Sequence, residues 1–345
     1  MNNKIDTTEK SYFQWLEDDT ATRWWHDSAD PAEIELALEH KASGATTNPI
    51  LVAGALASNP DFWKTEIGDI PEDLSAEAKT ELKHKAVVQY AAAKFIDQYE
   101  SSNGECGYAC AQVSPAKAGY SEEMIKDAKK YAGWAPNISV KFPATAAGLD
   151  ALEECIALGI SVTSTVNYTV PQVIEVAERF NKAKARAEKA GIKPGKCFAV
   201  IMIGRIDDYL REVANDNHAN VTEADINKIG IAITKRAYKI YQERGYEPKL
   251  LVAALRGTHH MLELCGADLI MSIHPKFQGP LLEAGTPRKL RIDEEVAPDT
   301  IERLSLMPEF VRAYEPDGMK PEEFITYGVV QKTLAQFQFT GWNKI

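Results

Sequence analysis

A chain of 345 residues with 45% hydrophobic and 26% charged side chains is long enough to bury a large core and too apolar for disorder to dominate. Its net charge of −11 argues against non-specific binding to nucleic acid or an anionic membrane, because both polyanions reward clustered Lys and Arg, so an anionic substrate has to be drawn in by local positive charge. The N-terminal MNNKIDTTEKSYFQWLEDDT lacks the apolar run of a signal peptide, and no later stretch approaches the ~20 apolar residues of a membrane span, so the expected location is the cytoplasm.

Short β-rich runs alternate with longer segments of helical period, the pattern of repeated βα units around a parallel sheet. The first run is TRWWHD, ending at Asp27, followed by the amphipathic PAEIELALEHK. GATTNP follows, ending near Asn48, and residues from about 55 to 105 then read as two helices. GYACAQV closes near Gln112, ISVKFP carries Lys141 and SVTSTV carries Thr165, with SEEMIKDAKKYA and LDALEECIALG between them. CFAVIMIGR is read as a strand ending at Arg205, KLLVAALR as one ending at Arg256 and LIMSIHP as one ending at His274. Thr222 before Glu223 reads as the N-cap of the helix preceding the seventh strand, and Gly245 as its stop. Eight alternations predict a TIM (βα)8 barrel over about residues 20–285, in a single domain, with additional helices after the second strand and a C-terminal helical extension over about 286–345.

The five cysteines, Cys106, Cys110, Cys155, Cys197 and Cys265, are odd in number and lie mostly in apolar segments, which favours buried, reduced thiols. Cys106 and Cys110 without a second pair make an incomplete zinc site. Neither a metal nor a cofactor is expected.

In such a barrel the C-terminal ends of the strands converge on one mouth, where catalysis occurs. The residues predicted there are Asp27, Asn48, Gln112, Lys141, Thr165, Arg205, Arg256 and His274. Polarity returns at strand ends in any fold, so this set alone leaves function open. Lys141 stands out because an unpaired ammonium inside an apolar strand is costly. It is either a lysine snorkelling at the rim or an amine whose charged form is disfavoured by burial and nearby cations, and a neutral amine attacks ketones. Arg205 and Arg256 offer guanidinium forks to a phosphate, the alternative for Arg205 being a surface pair with Asp207 or Asp208.

On these residues the chain resembles the transaldolase family, which includes the fructose-6-phosphate aldolases. GATTNPILV is similar to the family's second-strand motif, VKFPATAAGLDALEECIALGISVTSTV to its Schiff-base lysine with the helix and strand that follow, and IGRIDD and the Arg256 segment to its two phosphate-binding stretches. The resemblance implies that Lys141 forms an imine, Asp27 transfers a proton, Thr165 holds a catalytic water, and Gln112 stands in the acid/base position. It implies substrate contacts from Thr47, Asn48, Thr163, Met202 and His274, with Arg205 and Arg256 on the phosphate. The implied reaction moves a three-carbon dihydroxyacetone unit between phosphorylated or otherwise anionic sugars of the sedoheptulose 7-phosphate and fructose 6-phosphate type, in a homo-oligomer expected to be a dimer. There are departures. Gln112 replaces the glutamate of transaldolases and cannot act as a general base. Met202 replaces the sixth-strand tyrosine of the aldolases, Val200 and Ala254 stand where serines are usual, and Thr163 where an asparagine is common. A modified ketose therefore enters as an alternative substrate. His26, His259, His260 and His274 are candidates for the missing proton relay, His274 foremost. Two readings of other classes stay open: a lyase holding a divalent cation with some of these histidines and Asp27, disfavoured by their spacing, and a sugar-phosphate-binding protein without catalysis.

Overall fold

The computed structural model of the chain describes residues 10–345. Eight parallel strands close into a barrel in sequence order: β1 Arg23–His26, β2 Gly44–Ala45, β3 Tyr108–Gln112, β4 Ile138–Pro143, β5 Val162–Thr165, β6 Cys197–Met202, β7 Lys249–Ala253 and β8 Ile270–Ile273. β1 completes the ring by pairing with both β2 and β8, so the expected TIM barrel is the observed fold.

Register decides which side chains point inward, because bridged residues share a face and neighbours along a strand alternate. Gln112, Lys141, Thr163 and Phe198 are bridged in succession across β3 to β6, and all face the interior. The floor is an aromatic plug, with the Phe198 ring 4.8 Å from that of Trp25 and 5.2 Å from that of Tyr108. Gly44 is required beside it: a Cβ there would lie 2.7 Å from the Trp25 indole. Above the plug comes a layer of small polar groups that satisfy one another, Ser139 with Thr163 at 2.7 Å and Thr46 with Ser272 at 2.5 Å. Lys141 stands in the layer above, at the mouth.

Several boundaries differ from expectation. β6 ends at Met202 and the chain turns directly into the helix Ile203–Asp216, so Arg205 lies in a helix's first turn and not on a strand. The apolar run of the strand merges there with the buried stripe of the helix, Ile203, Ile206, Leu210 and Ala214, which hid the boundary. β7 ends at Ala253, leaving Arg256 in the following loop. The segment after β2 holds four helices, Pro49–Ser58, Pro60–Ile67, Ala76–Lys94 and Ile96–Ser101, the first two separated by Asn59, which caps the second. Thr222 does cap a helix, but a short one, Glu223–Ile226, and a separate helix Ile229–Arg244 leads to β7 and stops at the left-handed Gly245.

The C-terminal residues form the helices Pro298–Leu304, Pro308–Tyr314, Pro321–Phe324 and Gly328–Gln336, then a π turn over Phe337–Gly341. The end of this segment reaches the mouth, while its earlier helices lie on the outer helices of the barrel, where Arg303 pairs with Asp225 and Glu315 with Arg236. Gly341 sits so close to Pro49 and Ile50 that an added Cβ would meet them at 2.7 and 2.8 Å. All five cysteines are free thiols, four buried and Cys106 partly so. No described helix is long and apolar enough to cross a membrane.

Candidate active site

Lys141 is 5% exposed, and its Nζ donates to the carbonyl of Thr47 at 3.1 Å. That carbonyl is held in place because the Thr47 hydroxyl donates to the carbonyl of Cys110 at 2.7 Å. Thr47 therefore presents a main-chain acceptor to the lysine, its side chain being engaged below. Thr163, bridged to Lys141, is similarly engaged with Ser139.

Around the lysine stand four polar groups from other strands. Asp27, one residue beyond β1 and half-buried, accepts a 2.7 Å hydrogen bond from the Thr46 hydroxyl, which is itself in contact with Ser272. A hydroxyl has one proton to donate, so Ser272 donates to Thr46 and Thr46 to the carboxylate. Asn48 caps the helix Pro49–Ser58, its Oδ1 accepting from the N–H groups of Ile50 and Leu51 at 2.9 and 3.1 Å. Capping fixes the amide and leaves its NH2 as the donor offered to a ligand. Gln112, bridged to Lys141, is 1% exposed, and its Oε1 has no hydrogen-bond partner. An unpaired buried carbonyl is costly and marks a place where a donor is accepted. Thr165 Oγ1 lies 3.7 Å from the Met202 sulfur, a weak contact that leaves the hydroxyl available.

The two arginines lie outside the strand ends, on the same side of the mouth. Arg205 donates to Gln336 Oε1 at 2.5 Å, its guanidinium lies 5.2 Å from the centre of the Phe337 ring, and its Nε is buried without a partner. It forms no ion pair with a described residue, so the alternative of a surface pair with Asp207 or Asp208 is not what the structure shows. Burial, and to a lesser degree the neighbouring Arg256, push its pKa down, against Tyr168 and Asp208. Arg256 is exposed and pairs with Asp208 at 2.7 Å, while one of its Nη groups donates to the carbonyl of Ala254. A cleft of about 420 Å³ is lined by Arg205, Arg211, Arg256 and Lys332 with the carboxylates Asp208 and Glu212, a local excess of two positive charges in a chain of net charge −11.

The four histidines do not converge. His26 follows the inward Trp25 and so faces outward, where Nδ1 meets Gln278 at 3.1 Å, and burial pushes its imidazole down to about 4. His260 points toward Asp207 and His259 lies beside it in the same helix, Thr258–Leu264. His274 caps the helix Pro275–Leu282 through Nδ1, leaving Nε2 uncommitted just beyond β8. Among the described residues no group of three or more His, Cys, Asp or Glu could hold a metal ion.

Thr46 and Ser272 escaped the sequence reading. The one available signal was a hydroxyl at an inward position of an otherwise apolar strand.

A sequence model of the family described as Transaldolase/Fructose-6-phosphate aldolase matches residues 24–321. Transaldolase 1 of Streptomyces avermitilis is 26% identical over 323 residues, which cover 90% of this chain and 79% of that protein. The transaldolase of Thiobacillus denitrificans is 27% identical over 288 residues, 75% of this chain and 79% of that protein. With a closed eight-stranded parallel barrel and a match running from its first strand into its C-terminal helices, the chain belongs to the transaldolase/fructose-6-phosphate aldolase family of enzymes.

Proposed function

We propose that the protein transfers a three-carbon dihydroxyacetone unit between sugar phosphates through a Schiff base on Lys141. The observation that carries this reading is a buried lysine whose amine faces a carbonyl, with the uncharged Asn48, Gln112 and Thr165 and the carboxylate of Asp27 around it and a cation-lined cleft to one side. An unprotonated amine attacks the ketone carbon. Loss of water gives the iminium, an electron sink toward which the adjacent carbon–carbon bond breaks. Asp27, steadied by Thr46, takes the proton of the hydroxyl whose oxygen becomes the departing aldehyde. The remaining enamine attacks a second aldehyde, and hydrolysis frees the lysine.

Asn48 donates to a hydroxyl of the three-carbon unit, Thr165 holds the hydrolytic water, and Gln112 accepts a hydrogen bond without taking a proton. With no glutamate at this point, His274 is the histidine suited to the proton relay: it stands at a strand end with one ring nitrogen free. Arg205 and Arg256 grip the anionic end of the sugar.

One observation favours a modified ketose. The inward residues of β6 and β7 on the way from Lys141 to the arginines, Val200, Met202 and Ala253, are apolar, and a sugar hydroxyl pressed against them would lose its water without gaining a partner.

Turnover of ketose phosphates, normal and deoxygenated, with and without an acceptor aldehyde tests the reading. Transfer requires the acceptor, whereas free dihydroxyacetone released without one identifies simple aldol cleavage. Binding without turnover across the whole panel would leave a sugar-phosphate-binding protein instead.

A further inference from the structure

The two arginine-bearing segments are joined by a buried pair that the proposed reaction does not use. His260 Nε2 lies 2.9 Å from Asp207 Oδ2, with the side chains 0% and 2% exposed. Asp207 is two residues beyond Arg205 in the helix Ile203–Asp216, and His260 four beyond Arg256. His260 Nδ1 accepts from the main-chain N–H of Arg256 at 3.3 Å, so a neutral ring carries its N–H on Nε2, in contact with the carboxylate but not aligned as a hydrogen bond to it. The other Asp207 oxygen accepts from Gly230 N–H at 2.8 Å, anchoring the pair to the helix Ile229–Arg244. The segments are in close contact as well: a Cβ on Gly204 would meet the Ala254 carbonyl at 2.4 Å and the Arg256 side chain at 2.5 Å.

We infer that Asp207 and His260 are positioning residues that fix the spacing of Arg205 and Arg256 and so set the affinity for the substrate's anionic end; this rests on the proposed role of the two arginines. A guanidinium pair grips an oxyanion well only when both forks are held at the right separation, and Arg256, in a loop, has no strand to hold it. The Asp207–His260 pair supplies the missing constraint through the main chain at Arg256 itself.

The chemistry singles out informative variants. Asp207→Asn places an NH2 group opposite the Nε2–H, so either two donors face each other or the ring moves its proton to Nδ1 and loses Arg256 N–H. His260→Leu removes the bond to Arg256 N–H and the polar contact with Asp207, and His260→Gln restores a donor toward Asp207. Steady-state kinetics would be measured with a ketose phosphate and with the same ketose lacking phosphate, alongside Arg205→Ala and Arg256→Ala, after thermal melting shows each variant folded at the assay temperature. The expected result for Asp207→Asn and His260→Leu is a KM for the phosphorylated donor raised about tenfold or more, with kcat within about threefold, kcat/KM for the neutral donor within about twofold, and partial recovery in His260→Gln.

Equal losses with both donors, or no loss with either, would overturn the inference. Its failure is separable from failure of the underlying reading: if the arginine variants discriminate between the donors and the Asp207 and His260 variants do not, only the positioning role falls. If His260→Leu fails to fold, Asp207→Asn, which keeps size and shape, decides.

Discussion

The two halves of this site are built by opposite means. Around Lys141 every functional side chain stands on or just beyond a barrel strand and is buried or half-buried, and Lys141, Asp27 and Asn48 are oriented by a main-chain carbonyl, a hydroxyl and main-chain N–H groups. Around Arg205 and Arg256 the side chains come from a helix's first turn, a loop and the C-terminal segment, and Arg256 is exposed and paired with a carboxylate. Bond making needs a dry, rigid place where an amine is not locked to an anion, and recruitment of a charged substrate needs a cationic place reachable from water. A barrel supplies the first through register and the second through its loops.

The largest effect that would sharpen the contrast is loss of the amine. Lys141→Met keeps length and burial, and it is expected to lower kcat/KM by about 10⁴-fold or more for phosphorylated and neutral donors alike, read as acceptor-dependent turnover. Activity within about tenfold of the parent would place the chemistry elsewhere.

Burial on the other face of the same wall, at His26, also predicts acid sensitivity. Above pH 6.5 His26 is neutral in both folded and unfolded chains. Below 6.5 the unfolded chain binds a proton that the buried ring refuses until about pH 4, so stability falls across that window. The burial of this ring corresponds to about 3 kcal/mol at the acid end, an order-of-magnitude figure. Urea unfolding at several pH values should show a shallower acid limb in His26→Gln, and an unchanged limb would contradict the burial argument.

On the wet side, Arg205→Ala removes charge-assisted hydrogen bonds of about 1.5–3 kcal/mol, raising KM for an anionic donor about 10- to 100-fold and leaving the neutral donor unaffected. Gly204→Ala should raise the same KM and cost about 1–3 kcal/mol of stability, because the Ala254 carbonyl it would strike is main chain and cannot rotate away. Smallest is the effect of salt: raising ionic strength should weaken binding of the anionic donor and not of the neutral one, since exposed charges are screened within about 10 Å at 0.1 M.

The same contrast explains what the sequence disclosed. Strand periodicity and the cost of a charge in ISVKFP made the barrel and Lys141 readable, along with Asp27, Gln112 and His274 at or beside strand ends. The arginines were legible as residues but not as places, because the apolar run of β6 continues without a break into the buried stripe of the next helix. His26 stood only as one of four relay candidates, because TRWWHD is apolar on both faces and conceals which side of the sheet each residue takes. Thr46 with Ser272, 226 residues apart and meeting inside the barrel, and Asp207 with His260, meeting between the helices that follow β6 and β7, are pairings that no local pattern announces.

The central claim is tested most directly by borohydride reduction in the presence of a ketose phosphate, followed by mass spectrometry of the intact chain and its peptides. The account predicts a reduced three-carbon adduct on Lys141, absent in Lys141→Arg. Turnover with no adduct, or an adduct on another lysine that persists in that variant, would contradict it.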